Sequence, residues 1–106
     1  MAEQPTISTH VLDAEHGRPM AGVDVILERL DRGTSVVVGV GQTDADGRVR
    51  HLLGEPLSAG TYRLEFRVGG RFFEAVALTF RVDDAARSYH VPVLLAPYSV
   101  TTYRGS

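Results

Sequence analysis

Alternation with a period of two runs through most of this chain, and it leaves room for little besides strands that bury one face. From Thr61 to Val68, the residues Tyr62, Leu64, Phe66 and Val68 alternate with Arg63, Glu65 and Arg67. A strand points successive side chains to opposite faces, so this spacing gathers the apolar groups on one side. Val76 to Val82 repeats the arrangement with Val76, Leu78, Phe80 and Val82, while Val23, Val25 and Leu27 alternate with Asp24 and Glu28. Ser35 to Val40 is a β-branched run, and Ile7 to Leu12 and Tyr89 to Leu95 complete the long strands. Two short strands are expected at Val49 to Leu52 and Ser99 to Tyr103. Turn chemistry separates these segments: Gly17-Arg18-Pro19, Asp31-Arg32-Gly33, Asp44-Ala45-Asp46-Gly47, Ser58-Ala59-Gly60 and Gly69-Gly70. Asp83 to Ser88 reads as a loop or one helical turn. Together these signals predict an all-β, antiparallel β-sandwich of seven to eight strands, a single domain over residues 1–106.

Composition narrows the function classes. The chain has 106 residues, 43% of them hydrophobic and 23% charged, which suits one ordinary core and neither disorder nor a membrane span. No apolar run approaches the roughly 18 to 20 residues that cross a bilayer. Net charge is −2, and the eleven basic residues, all Arg, are scattered among acids, so nothing marks a nucleic-acid partner. Cysteine is absent, which removes disulfides and thiolate metal sites. Met1 to Pro5 carries no basic segment leading into an apolar one, so a protein without a secretory leader, working in the cytoplasm, is expected.

The faces of two strands direct attention to the histidines. In the first strand Ile7, Thr9 and Val11 point one way, and Ser8, His10 and Leu12 the other. In the strand from Tyr89, the apolar set Tyr89, Val91, Val93 and Leu95 claims the core, which turns His90, Pro92 and Leu94 outward. An outward face is ordinarily polar. This one mixes imidazoles with apolar groups, which suggests a surface covered by another subunit, although by pattern alone a pair of unrelated surface histidines is the more ordinary explanation. Two histidines without a third ligand at a usual spacing do not make a zinc site. Arg48 closes an Asp/Gly turn in which Gly47 supplies a positive φ, and by pattern alone it is a solvated turn residue. Glu15 and His16 read as solvent-facing loop residues. No nucleophile elbow, Ser-His-Asp order, phosphate-cradling loop or paired carboxylates are evident.

Four segments, taken in order, resemble the 5-hydroxyisourate hydrolase (transthyretin-related) family. They are Ser8-Thr9-His10-Val11-Leu12-Asp13, then Gly17-Arg18-Pro19 leading to Gly22-Val23, then Thr43 to Arg48, then Tyr89-His90-Val91-Pro92-Val93-Leu94-Leu95. The final Tyr103-Arg104-Gly105-Ser106 matches the family's signature tetrapeptide. The resemblance implies a transthyretin/prealbumin-like sandwich assembled as a homotetramer, with active sites in a channel between dimers. It implies hydrolysis of 5-hydroxyisourate, the unstable product of urate oxidation, by opening its six-membered ring. Catalytic roles fall on His10, Arg48, His90 and Ser106, and substrate binding on Arg48, Tyr103, Arg104, Gly105 and Ser106. His10 or His90 would act as general base on water, Arg48 would stabilise charge on the attacked carbonyl, and Ser106 would hold the other histidine or the substrate. No metal or organic cofactor is implied.

Some features depart from the family pattern. Val68-Gly69-Gly70-Arg71-Phe72 passes almost directly between two strands, where the family has a short helix and a longer connection. No proline precedes Glu74, and Val100 stands where an aromatic residue is common. The Gly-x-Pro and Thr-Asp-x-Asp-Gly segments also resemble non-catalytic sandwich modules of the carboxypeptidase-regulatory type. Such a module would be a monomer indifferent to loss of its last four residues. A transthyretin-like carrier is the third reading, though two histidines and an arginine suit a small polar purine better than an apolar hormone.

Overall fold

A computed structural model describes residues 4–106; Met1 to Glu3, on which part of the leader reading rests, lie outside the described residues. Nine strands are present among the described residues: β1 Ile7–Asp13, β2 Arg18–Pro19, β3 Asp24–Asp31, β4 Thr34–Gln42, β5 Arg48–Val49, β6 Gly60–Arg67, β7 Ala75–Val82, β8 Tyr89–Ala96 and β9 Ser99–Thr102. One sheet has the order β2-β1-β8-β9, with β5 also paired to β1, and the other has the order β4-β3-β6-β7. The expected sandwich is there, with boundaries within a few residues of the alternation. Two details differ. Arg18–Pro19, read as a turn, pairs briefly with Leu12 and Asp13 as β2. The β1–β8 pair is parallel, unlike the other pairs. Alternation reports which face is buried and carries no information about strand direction.

The core forms where the two alternating faces meet. Ile7, Val11, Val25, Leu27, Tyr62, Leu64, Phe66 and Val93 are all fully buried between the sheets. At roughly 1.5 to 3 kcal/mol per fully buried large apolar side chain, this layer is the main favourable term for the fold. Polar groups in the layer are paired. Thr9 Oγ1 donates to the Val91 carbonyl at 2.6 Å, and Tyr62 Oη donates to the Ser58 carbonyl at 2.8 Å. Thr43 Oγ1 donates to the Met20 carbonyl at 2.7 Å and accepts from Val23 N–H at 2.9 Å, tying together the loops that flank β3.

No helix occurs among the described residues, and the β6–β7 connection is the short turn that its glycines announce. Asp83 to Ser88 is a loop without helix, pinned by Tyr89: its hydroxyl donates to Asp83 Oδ1 at 2.8 Å and accepts from Asp83 and Asp84 N–H. This contact from the Tyr89 hydroxyl holds the Asp83 carboxyl below its ordinary range.

Candidate active site

The site is built on the outward face of the β1–β8 sheet by strand register. Arg48 on β5 is paired with His10 on β1, and β1 in turn pairs Ser8 with His90 and His10 with Pro92 on β8. Directly paired residues point to the same side of a sheet. His10, Arg48 and His90, separated by up to eighty positions in sequence, therefore share one face. Ile7, Thr9 and Val11 on the opposite side are fully buried, as alternation requires.

The Asp44–Gly47 turn brings Arg48 to this place. Asp44 Oδ1 accepts from Asp46 N–H at 2.9 Å and from Arg48 N–H at 3.0 Å, and the Arg48 contact keeps the Asp44 carboxyl below its ordinary value. Gly47 takes φ 76°, and a side chain there would run into the Val11 carbonyl and Pro19. Only glycine lets the turn lie this close over β1. The same turn presents the Asp46 carbonyl to His10 Nε2 at 2.9 Å. A carbonyl only accepts, so Nε2 is the protonated nitrogen of His10.

His90 is held from three directions. Its Nδ1 lies 2.8 Å from Ser8 Oγ. Its carbonyl accepts from Gly105 N–H at 2.8 Å, which lays the C-terminal segment across β8. Gly105 rests on the imidazole so closely that a Cβ built on it would stand 2.5 Å from His90 Cδ2 and 3.2 Å from Pro92 Cγ. Burial lowers the His90 pKa, and the positive charge of Arg48 lowers it further. A neutral imidazole at physiological pH is the form that accepts a proton. Between His90 and Arg48 the face is hollowed into a shallow cavity of about 260 Å³, which Ser8, Arg50, His51 and Ser88 also line.

The last residues divide between two places. Gly105 joins the histidine face, whereas Tyr103 and Arg104 line a separate hollow of about 360 Å³ at the open edge between β7 and β9. The Arg104 guanidinium sits 4.3 Å from the centroid of the Tyr89 ring, a cation–π contact. Arg104 Nε also donates to the Ser106 carbonyl at 3.1 Å. Ser106 is exposed. Glu15 and His16 are exposed as expected, with His16 Nδ1 2.8 Å from Asp13 Oδ2. Among the described residues no group of three His, Asp or Glu side chains is placed to hold a metal ion. Three contributors were not singled out by sequence reasoning: Ser8 as the partner of His90, the Asp46 carbonyl as the partner of His10, and Tyr89 as the platform for Arg104. Alternation places Ser8 on the right face, but its partner depends on the parallel β1–β8 register.

Comparison with known proteins decides the lineage. Residues 7–105 match the model of the HIUase/Transthyretin family. The chain belongs to this family. A 5-hydroxyisourate hydrolase of Caulobacter vibrioides is 39% identical to it over 112 aligned positions, covering 94% of this chain and 97% of that relative. Among solved structures, a 5-hydroxyisourate hydrolase of Klebsiella pneumoniae superposes with a TM-score of 0.84 at 32% identity, over 97% of this chain and 100% of that one. A sea bream transthyretin in complex with thyroxine superposes with a TM-score of 0.85 at 28% identity, over 92% of each chain. Enzyme and carrier of the family are thus equally close in backbone, and the side chains on the outward face must separate them.

Proposed function

We propose that this chain is a 5-hydroxyisourate hydrolase acting in urate degradation, a single domain whose histidine face is the catalytic surface. The observation that carries the reading is the convergence of His10, Arg48, His90 and Gly105 on one face of the β1–β8 sheet. A cationic, imidazole-bearing hollow suits a small polar heterocycle and is ill suited to an apolar hormone. It also gives a purpose to residues that a non-catalytic sandwich module would not need.

In this mechanism His90 is the general base. Held neutral by burial and by the neighbouring Arg48 cation, it takes a proton from water as the oxygen adds to the ring carbonyl of the substrate. Arg48 faces the carbonyl oxygen and stabilises the negative charge that develops there. His10, fixed with Nε2–H on the Asp46 carbonyl, orients the substrate from β1, the strand between those of Arg48 and His90. Collapse of the tetrahedral adduct breaks the C–N bond, and the ring nitrogen leaves with the proton that His90 took from water, which returns His90 to its neutral form. General-base help of this kind contributes roughly 10² to 10⁴ in rate. The assembled protein is a homotetramer in which the histidine faces of two dimers form a channel; Tyr103 and Arg104 face the separate hollow beside Tyr89, so the substrate-binding role of the terminal segment falls to Gly105 and Ser106. The apolar Leu12 and Leu94, half-buried on that face beside the imidazoles, are the groups such an assembly would cover. The chain contains no helix among the described residues that is long and apolar enough to cross a membrane, and the cytoplasm is the proposed compartment.

The test is the decay of freshly generated 5-hydroxyisourate, followed by ultraviolet absorbance with and without the protein. Acceleration by the unaltered chain and its loss in His10→Ala are expected. No acceleration by a folded chain would sink the reading.

A further inference from the structure

The mechanism gives no task to the contact between Ser8 and His90. Register brings the two side chains together across the parallel β1–β8 pair, Oγ to Nδ1 at 2.8 Å. A hydroxyl can donate or accept, so the distance admits either neutral tautomer of the ring. The surroundings choose between them. Gly105 covers the Cδ2 edge of the imidazole, and Ser8 occupies Nδ1, so Nε2 is the nitrogen left for a reactant. The permanent positive charge of Arg48 acts on the ring. A cation favours a lone pair over an N–H at the nitrogen that is still open.

We propose that Ser8 is the positioning residue of His90: its Oγ accepts the hydrogen bond from Nδ1–H, and the ring is held with its free lone pair on Nε2. The two imidazoles of the face then stand in opposite tautomers. His10 carries its proton on Nε2, where the Asp46 carbonyl demands it, and His90 carries its proton on Nδ1. One ring presents a base and the other is locked by the main chain, so two chemically identical side chains are given different work. Ser8 lines the hollow beside His90, and its part in the reaction is played through His90 alone. This inference rests on the hydrolase reading for its catalytic consequence and on the geometry alone for the tautomer.

The experiment has two readouts on the full-length chain. Nitrogen-15 NMR of the imidazoles reports the tautomer without substrate, and steady-state hydrolysis of 5-hydroxyisourate reports kcat and KM separately. The unaltered protein is expected to show a protonated Nδ1 and an unprotonated Nε2 at His90. Ser8→Ala is expected to lose that signature and to lower kcat by about ten-fold, the effect of one hydrogen bond of about 1.4 kcal/mol, with KM nearly unchanged. Ser8→Thr, which keeps the hydroxyl, is expected to restore both. A His90 protonated on Nε2 in the unaltered chain overturns the inference, and so does a Ser8→Ala variant with full kcat. A chain with the expected tautomer but no turnover overturns the hydrolase reading and the catalytic consequence with it, while the tautomer assignment stands.

Discussion

Gly105→Ala is the substitution that most directly tests how the C-terminal segment is seated. The added methyl would lie 2.5 Å from His90 Cδ2, 3.3 Å from His90 Cγ and 3.2 Å from Pro92 Cγ. Carbon atoms rest at about 3.5 to 4.0 Å, so the overlap with the imidazole is roughly 1 Å. Pro92 is a rigid ring in a paired strand and cannot move aside. Either the imidazole turns off Ser8 or the segment lifts away and gives up the Gly105 N–H bond to the His90 carbonyl. A misplacement of about 1 Å at a reacting group costs on the order of 10²-fold in rate. The variant is therefore expected to lose about 100-fold in kcat/KM, measured by ultraviolet decay of 5-hydroxyisourate. Its thermal midpoint should hardly change, because Gly105 is exposed and places no side chain in the core. A Gly105→Ala protein with wild-type turnover would refute the close packing of the segment on His90.

Arg48→Ala should lower kcat/KM by roughly 10² to 10³, the usual worth of a group that stabilises a developing oxyanion, with circular dichroism unchanged since Arg48 lies outside the core. The activity of the unaltered chain should persist below pH 6.5, the ordinary histidine value, because burial and the charge of Arg48 lower the His90 pKa; a kcat/KM profile whose acid limb lies above that value would contradict the assignment of His90 as base. The same shift has a stability consequence. Between the lowered folded value and 6.5 the unfolded chain binds more protons at His90, so stability in this window falls as pH falls, and a urea midpoint that rises on acidification through it would count against the half-buried placement of His90 near Arg48. Thr43→Val keeps the shape of a side chain that is 4% exposed but strands Val23 N–H and the Met20 carbonyl; it should cost about 2 to 4 kcal/mol in urea unfolding, and a loss below about 1 kcal/mol would show that water or a shifted loop replaces both bonds.

Much of this protein was determined by its sequence alone. The alternation of Tyr62, Leu64 and Phe66 against Arg63, Glu65 and Arg67 assigns buried and exposed faces without reference to any partner, because a pleated strand has only two sides. Gly47 is legible in the same way, since a turn with positive φ asks for glycine whatever surrounds it. Alternation also turned His10 and His90 outward, and the family motifs gave them a purpose. Tertiary structure decided the rest. That β1 runs parallel to β8, that Ser8 therefore meets Nδ1 of His90, and that the Asp46 carbonyl fixes the His10 tautomer all depend on which strands become neighbours and in what register. The separation of Gly105 from Arg104 is of the same kind: one packs on an imidazole and the other on the Tyr89 ring, at the open edge of the sandwich. Local periodicity reports the direction in which a side chain points, and the partner it meets there is a property of the folded chain as a whole.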